Sequence, residues 1–209
     1  MSGATLRHRA DGSVELRVNG IFVMDDVETS SERELARHVL ARGARDILVG
    51  GLGLGFTARE LLASAQVNGL IVAEIHGEIA EWMSDGTIAG ADLLDDHRLD
   101  LRIGDVRDVV GHAERSSLDA ILLDVDNGPD YLVYDANAAV YRSEFLAVCA
   151  ERLRPGGTLS LWSQADSAPL RAALAEHFDE GDAECLPVTL QWRDEKYWIV
   201  RGSGPEAGR

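Results

Sequence analysis

Short apolar runs alternate with segments of helical period along most of the chain, and no other feature constrains the fold as much. From Asp46 onward, five runs of strand length are each followed by a segment of helical spacing. The runs span residues 47–49, 70–73, 99–103, 120–123 and 158–162, and the helical segments span 56–66, 78–84, 106–115, 143–153 and 168–178. Repeated strand–helix units predict an α/β fold, with a parallel sheet covered by helices on both faces.

The first 27 residues follow a different pattern. Asp11-Gly12 and Asn19-Gly20 each separate short alternating or β-branched runs, and such dipeptides favour type I′ turns. Residues 1–27 are therefore predicted to form a small three-stranded antiparallel meander. Its apolar side chains must pack on the core or on a second subunit, because a short meander cannot bury them by itself.

A helix is predicted next, followed by the main domain over residues 28–201. Either Ser31 with Glu34 or Thr29 with Glu32 offers a capping box for a helix that runs to about residue 42. At the other end, two strands over 184–191 and 196–200 are expected to form a hairpin with its turn at 193–195. The small, polar tail at 202–209 is expected to be disordered.

Charge and composition narrow the possible partners. Lys and Arg total 20 against 36 Asp and Glu, a net charge of −16, which repels phosphate backbones and anionic lipid headgroups. No apolar run approaches the ~20 residues that a bilayer requires. The sequence therefore predicts a soluble cytoplasmic protein that binds neither nucleic acid nor membrane.

The two cysteines, Cys149 and Cys185, lie in apolar surroundings. Neither has a Cys or His partner at the spacing of a metal site. They are predicted to be buried thiols, and no metal site is assigned.

A glycine-rich loop follows the first strand of the parallel sheet. Glycines at 51, 53 and 55 permit a tight turn and a close backbone approach to a ligand beside a helix N-terminus. The second strand ends at Glu74, about 20 residues further on, where folds of this kind place the acid that holds a ribose. Gly51, Gly53, Gly55 and Glu74 are therefore candidate cofactor-binding residues.

The third strand is followed by Gly104, Asp105 and Val106. In this geometry the Asp105 carboxylate and the backbone N–H of Val106 are placed to recognise an adenine edge. Asp105 is also a favourable N-cap for the helix that begins at Val106, and the two roles are compatible.

The fourth strand leads into an acidic loop at the same edge of the sheet. Asp124 follows the strand directly and is the candidate catalytic group, because a carboxylate with a raised pKa can take a proton from a nucleophile. Asp126, Asn127 and Tyr131 are candidate substrate-binding residues. The alternative is that these residues form only an acidic loop in solvent, without a role in a site. This alternative is weakest for Asp124, because Asp124 lies directly at the strand end.

In order, these motifs resemble those of class I S-adenosylmethionine-dependent transferases, and within them the spermidine synthase-like (polyamine aminopropyltransferase-like) branch. The resemblance covers roughly residues 13–165 and rests on the glycine loop with Thr57 to Glu60, Glu74, Gly104-Asp105, Leu122-Leu123-Asp124 and the stretch at 153–157. It implies a Rossmann-like class I methyltransferase fold, namely a mostly parallel seven-stranded sheet with an antiparallel last strand. It also implies a nucleoside cofactor, S-adenosylmethionine or its decarboxylated form, and a homodimer.

The chain departs from this branch at positions that bear on substrate choice. Polyamine synthases carry an Asp in the glycine loop that holds the amine of the decarboxylated donor, and the matching residue here is Leu54. Their Tyr-His pair near the polyamine is replaced by Glu32-Arg33. Ordinary S-adenosylmethionine therefore becomes admissible, and diamine recognition is in doubt.

The sequence thus predicts an alkyl transferase that moves a methyl or aminopropyl group to a small nucleophile, with an amine favoured as the acceptor. The alternative is a non-catalytic relative that binds a nucleoside or a protein partner and has lost polyamine chemistry. A nicotinamide dehydrogenase also combines a glycine loop with an acid after the second strand. The Asp124 loop and the terminal hairpin are not features of that class of enzyme.

Overall fold

The computed structural model describes residues 3–191 and 193–205, which begin with a three-stranded antiparallel meander. Its strands are β1 (Ala4–His8), β2 (Val14–Val18) and β3 (Ile21–Asp25). The second turn has the two positive φ angles predicted for it, 54° at Asn19 and 77° at Gly20.

The first turn of the meander was predicted wrongly. Asp11 has no positive φ, and the loop closes through a hydrogen bond from the Arg9 N–H to the Ser13 carbonyl. The Asp11 carboxylate accepts from the backbone N–H and the hydroxyl of Ser13. A longer loop held by an aspartate side chain has therefore replaced the two-residue turn.

The main sheet has seven strands in the order β6-β5-β4-β7-β8-β10-β9. They are β4 (Asp46–Gly50), β5 (Gly69–Glu74), β6 (Leu99–Ile103), β7 (Leu118–Leu123), β8 (Leu153–Ser163), β9 (Phe178–Leu190) and β10 (Arg193–Pro205). β10 is antiparallel to both of its neighbours, whereas the pairs among β4 to β8 are parallel. This is the predicted mostly parallel sheet with an antiparallel last strand.

Helices cover both faces of the sheet. They are α1 (Ser30–Ala41), α2 (Phe56–Leu62), α3 (Gly77–Ser84), α4 (Ala91–Leu94), α5 (Val106–His112), α6 (Ser143–Arg152) and α7 (Ala168–Ala175), with a 3-10 helix at Asp135–Tyr141. α4 and the 3-10 helix were not predicted. None of the helices within 3–191 and 193–205 has the length and apolarity needed to cross a membrane.

The side chains of β4 show how the sheet divides the core. Ile47 and Val49 belong to one buried cluster and Leu48 to the other, because successive side chains point to opposite faces of a strand. The meander packs on the first cluster through Leu16 and Val18. Packing on the core of the same chain, one of the two predicted positions, is therefore observed, and packing on a second subunit stays a prediction.

Neither predicted capping box forms at the start of α1. Thr29 is the N-cap residue but makes no capping hydrogen bond with its side chain, and its hydroxyl accepts from Arg33 Nε instead. Glu32 is not turned back toward the N-cap, because its side chain is buried on the inner face of the helix.

The C-terminal hairpin also differs from the prediction. Leu190 pairs with Arg193, so the chain reverses between these two residues and the predicted turn at 193–195 lies within β10. β10 continues to Pro205 instead of ending in a disordered tail at residue 202, because both of its edges are paired and Ser203 lies opposite Thr158 on β8. The rest of that predicted tail, 206–209, lies outside the described residues.

Both cysteines are free thiols. Cys149 is buried in α6 as predicted, and burial raises the pKa of its thiol. The prediction of burial was wrong for Cys185, which is only partly buried because β9 is the edge strand of the sheet.

Candidate functional site

A cavity lies at the carboxyl ends of the parallel strands and has an empty volume of about 1020 Å³, including its open mouth. The loops after β4, β5, β6 and β7 supply much of its lining. The meander forms a further wall through Leu16, Val18, Val23 and Met24, and Glu32 of α1 and Trp162 of β8 also line the cavity.

The glycine loop packs tightly on neighbouring backbone. Gly51, Gly53 and Gly55 have φ angles of 94°, 52° and 85°. A Cβ atom at Gly51 would lie 2.1 Å from the carbonyl oxygen of Asp124, and one at Gly53 would lie 2.6 Å from Sδ of Met24. A side chain at Gly51 would therefore force the loop away from the strand end, whereas one at Gly53 would require the Met24 side chain to move.

Only the first two of these glycines line the cavity. Gly55 is the N-cap of α2 and faces Leu93 and Met83, which a Cβ atom would approach to 3.1 and 3.2 Å. Gly55 therefore shapes the start of α2, and its contact with a cofactor stays a prediction.

Glu74 ends β5 and is almost completely buried in the wall of the cavity. Its Oε2 accepts from the backbone N–H of Leu52 at 2.8 Å, and its Oε1 accepts from the N–H of His76 at 2.7 Å. Burial raises the pKa of the Glu74 carboxyl, and these two hydrogen bonds oppose that shift. A hydrogen bond from the backbone N–H of Gly53 also opposes the shift.

Asp105 and Val106 both line the cavity, at the start of α5. The Asp105 carboxylate accepts from the backbone N–H of Arg107 at 2.8 Å and pairs with its guanidinium. Hydrogen bonding to Arg107 lowers the pKa of Asp105. The N-cap role is therefore confirmed, and contact with adenine stays a prediction.

Asp124 follows β7, and its backbone N–H donates to the carbonyl of Gly50 at 2.8 Å. This bond places Asp124 directly against the glycine loop and in the cavity wall. Burial raises the pKa of the Asp124 carboxyl to about 6, with a further contribution from the charge of Glu74. A carboxylate with this pKa is a better base near neutral pH than an ordinary aspartate.

Glu32 was not among the predicted site residues, although the resemblance matches it to the family's Tyr-His pair near the polyamine. It lines the same cavity and is 8% exposed. Burial raises its pKa to about 8, with a contribution from the charge of Asp124. A glutamate on the inner face of an amphipathic helix could also have indicated a site residue, because an acid is rarely buried there without a function.

Thr57 links these two acids. Its hydroxyl lies 3.3 Å from the backbone carbonyl oxygen of Glu32, and a hydrogen bond from Thr57 lowers the pKa of Asp124. A hydroxyl carries one proton, so Thr57 can donate to only one of these two oxygens at a time.

Asp126 lines the cavity, but its carboxylate is used to hold the loop that follows it. Oδ1 accepts from the N–H groups of Asn127 and Val133 at 2.8 and 2.7 Å. Oδ2 accepts from the Asn137 side chain at 2.8 Å and lies 3.5 Å from the Tyr134 nitrogen. These hydrogen bonds are sufficient to stabilise the buried Asp126 carboxylate, so its burial does not require contact with a substrate.

The two other predicted substrate-binding residues differ in position. Asn127 lines the cavity, whereas Tyr131 is 53% exposed and does not. The tyrosine that the loop brings to the cavity is Tyr134, which stacks on His76 with its hydroxyl 3.2 Å from Nε2. The tight loop around Asp126 decides which tyrosine faces inward.

Leu54, which the resemblance matches to an acid of polyamine synthases, does not line the cavity. Its side chain is 7% exposed and belongs to the first buried cluster. Its N–H points to Sδ of Met24 at 3.2 Å.

In 3–191 and 193–205, no group of three or more His, Cys, Asp or Glu side chains is arranged to hold a metal ion.

The curated proteins similar in sequence to this chain include several polyamine aminopropyltransferases. No family model matches the chain. The polyamine aminopropyltransferase of Nitrosomonas europaea is 28% identical over 76% of this chain and 49% of its own length. Polyamine aminopropyltransferase 2 of Pseudomonas aeruginosa is 33% identical over 63% of this chain and 38% of its own length. The chain thus spans at most about half the length of these curated relatives.

Solved structures show the same fold. A spermidine synthase bound to a transition-state analogue has a TM-score of 0.81 at 20% identity, over 96% of this chain and 69% of that chain. An N-methyltransferase from Bradyrhizobium japonicum, bound to S-adenosyl-L-homocysteine, has a TM-score of 0.61 at 18% identity, over 86% and 88%. The resemblance predicted from the motifs is confirmed: the chain is similar in sequence to polyamine aminopropyltransferases, and its fold is that of spermidine synthases and class I S-adenosylmethionine-dependent methyltransferases.

Proposed function

We propose that this protein transfers an alkyl group from a sulfonium donor of the S-adenosylmethionine type to an amine. The observation that carries the proposal is the buried carboxylate of Glu74, held by backbone N–H groups in the wall of the cavity that also contains Asp124. A buried acid at this strand end is suited to the two hydroxyls of a ribose.

The cavity residues fit a nucleoside donor. Glu74 would hold the ribose, with the loop at Gly51 and Gly53 beside it. Asp105 and the N–H of Val106 would face the adenine. When bound, the donor supplies an electrophilic carbon, and its sulfur leaves as a neutral thioether.

Asp124 would act on the acceptor. An amine must lose a proton to attack carbon, and Asp124 lies at the end of β7 with a pKa raised toward neutral. The carboxylate would orient the ammonium form and then take its proton. The amine lone pair forms the new bond to carbon as the carbon–sulfur bond breaks.

The transferred group is either methyl or aminopropyl. The names of the curated relatives favour aminopropyl transfer from the decarboxylated donor. Leu54 favours methyl transfer from ordinary S-adenosylmethionine, because the glycine loop carries no acid to hold the donor's amine.

A homodimer is also part of the proposal, and light scattering at tens of micromolar protein tests it.

Calorimetric titration tests the donor site. We expect S-adenosylmethionine, S-adenosylhomocysteine and 5′-methylthioadenosine to bind, and a ligand specific for the native state also raises its stability. Binding of NAD without any of these nucleosides would contradict the proposal and favour a dehydrogenase. Binding without turnover of any amine would favour the non-catalytic alternative.

A further inference from the structure

Trp162 is a lining residue of the cavity and carries an unpartnered hydrogen-bond donor. It lies on β8, is 7% exposed, and lines the cavity. Its indole packs against the ring of Tyr197, with the centroids 4.7 Å apart. Its Nε1 is buried and has no hydrogen-bond partner among the described residues. A buried N–H of this kind is costly unless a bound molecule supplies an acceptor.

Glu32 also lacks a partner of opposite charge. Its Oε2 accepts from the Ser31 hydroxyl at 2.9 Å, but it forms no ion pair with any described basic residue. The adjacent Arg33 pairs with Glu60 at 3.1 Å. A buried carboxyl without a counter-ion can accept a hydrogen bond from an ammonium or hydroxyl group of a ligand.

Three elements bring these groups to the cavity. Glu32 reaches its lining from α1, Asp124 from the loop after β7 and Trp162 from β8. The lining therefore combines two carboxyl groups, which accept hydrogen bonds from an ammonium group, with one N–H that can only donate.

We propose that Glu32, Asp124 and the indole N–H of Trp162 form the acceptor subsite, and that they select a small amine that also carries a hydrogen-bond-accepting oxygen. The inference rests on the proposed function, because it concerns the second substrate of the same cavity. A protonated diamine carries only donors and leaves Trp162 Nε1 unpaired. A hydroxyl in place of the second amine accepts from Trp162 and can still donate to Glu32.

Two probes of equal length test this selection. Protein saturated with 5′-methylthioadenosine is titrated calorimetrically with 4-amino-1-butanol and with 1,4-diaminobutane. We expect the amino alcohol to bind at least fivefold more tightly, because only it pairs the buried N–H. Equal or tighter binding of the diamine would overturn the inference, and this comparison needs no variant.

Variants assign the effect to residues. Trp162→Phe keeps an aromatic ring but removes the N–H, so the ratio of the two affinities should fall to about one. Trp82→Phe is the matched control, because Trp82 lies on α3 away from the cavity lining, and it should leave the ratio unchanged. Glu32→Gln should weaken both amines at least fivefold. An unchanged ratio in Trp162→Phe would overturn the role of the indole.

Failure of the inference is distinct from failure of the proposed function. If 5′-methylthioadenosine binds and neither amine does, the subsite is wrong and the donor site stands. If 5′-methylthioadenosine itself does not bind, the proposed function fails and the inference fails with it.

Discussion

The backbone N–H of Leu52 donates to Oε2 of Glu74 at 2.8 Å, across a separation of 22 residues in sequence. This bond ties the glycine loop after β4 to the end of β5. The other carboxylate oxygen accepts from His76, which begins the next loop. Glu74 therefore organises the loops of the cavity wall in addition to its proposed contact with a ribose.

Glu74→Ala should weaken binding of 5′-methylthioadenosine by on the order of 2–4 kcal/mol, because charge-assisted hydrogen bonds to the ribose are lost. It should also lower the free energy of unfolding, since two backbone N–H groups lose their acceptor. Calorimetry and urea denaturation measure the two effects. Glu81→Ala is the control, because Glu81 is exposed on α3 and does not line the cavity. Unchanged nucleoside affinity in Glu74→Ala would contradict the site.

Asp126→Ala should lower the free energy of unfolding by about 2–3 kcal/mol, because buried N–H groups of the loop lose their acceptor. Asp130→Ala, at an exposed position of the same loop, should change it by less than about 0.5 kcal/mol. Urea denaturation compares the two variants. Loss of amine binding in Asp126→Ala with unchanged stability would instead support the substrate-binding role predicted from sequence.

The free energy of unfolding should depend on pH through Glu32. Its pKa is raised from 4.5 to about 8 in the folded protein, so across this window the folded state keeps a proton that the unfolded state has lost. Stability therefore falls as pH rises from about 4.5 to 8.

Glu32→Gln removes this contribution. Between pH 5 and 8 the wild type should lose on the order of 2–4 kcal/mol more of its free energy of unfolding than the variant does. Urea denaturation at several pH values measures the difference, and comparison with the variant cancels the titrating groups that do not interact with Glu32. Parallel pH profiles would show that Glu32 is ionised in the folded protein.

S-Adenosylmethionine should bind at least as tightly as its decarboxylated form. A charge pair about 4 Å apart is worth roughly 4 kcal/mol at an effective dielectric constant of 20, before desolvation. The glycine loop carries no acid to supply that pair to the donor's amine. Calorimetric titration with both donors gives the ratio. A tenfold or greater preference for the decarboxylated donor would show that another carboxylate, such as Asp124 or Asp126, holds the amine.

The sequence by itself determined the sheet and the positions of the strand ends. Side-chain periodicity and chain order are local properties, and parallel strands place their carboxyl ends at one edge of the sheet. The glycine loop, Glu74, Asp105 and Asp124 could therefore be assigned to a common site from their places after successive strands. The antiparallel last strand followed from the terminal hairpin together with the family resemblance.

Only the tertiary structure decided which of these side chains face the cavity and which other residues join them. Glu32, Met24 and Trp162 reach it from α1, the meander and β8, and their contacts depend on how distant segments pack. The orientation of Tyr134 and Tyr131 depends on the hydrogen bonds that Asp126 makes with its own loop. Such contacts join residues far apart in sequence or depend on irregular backbone, so no periodic pattern records them.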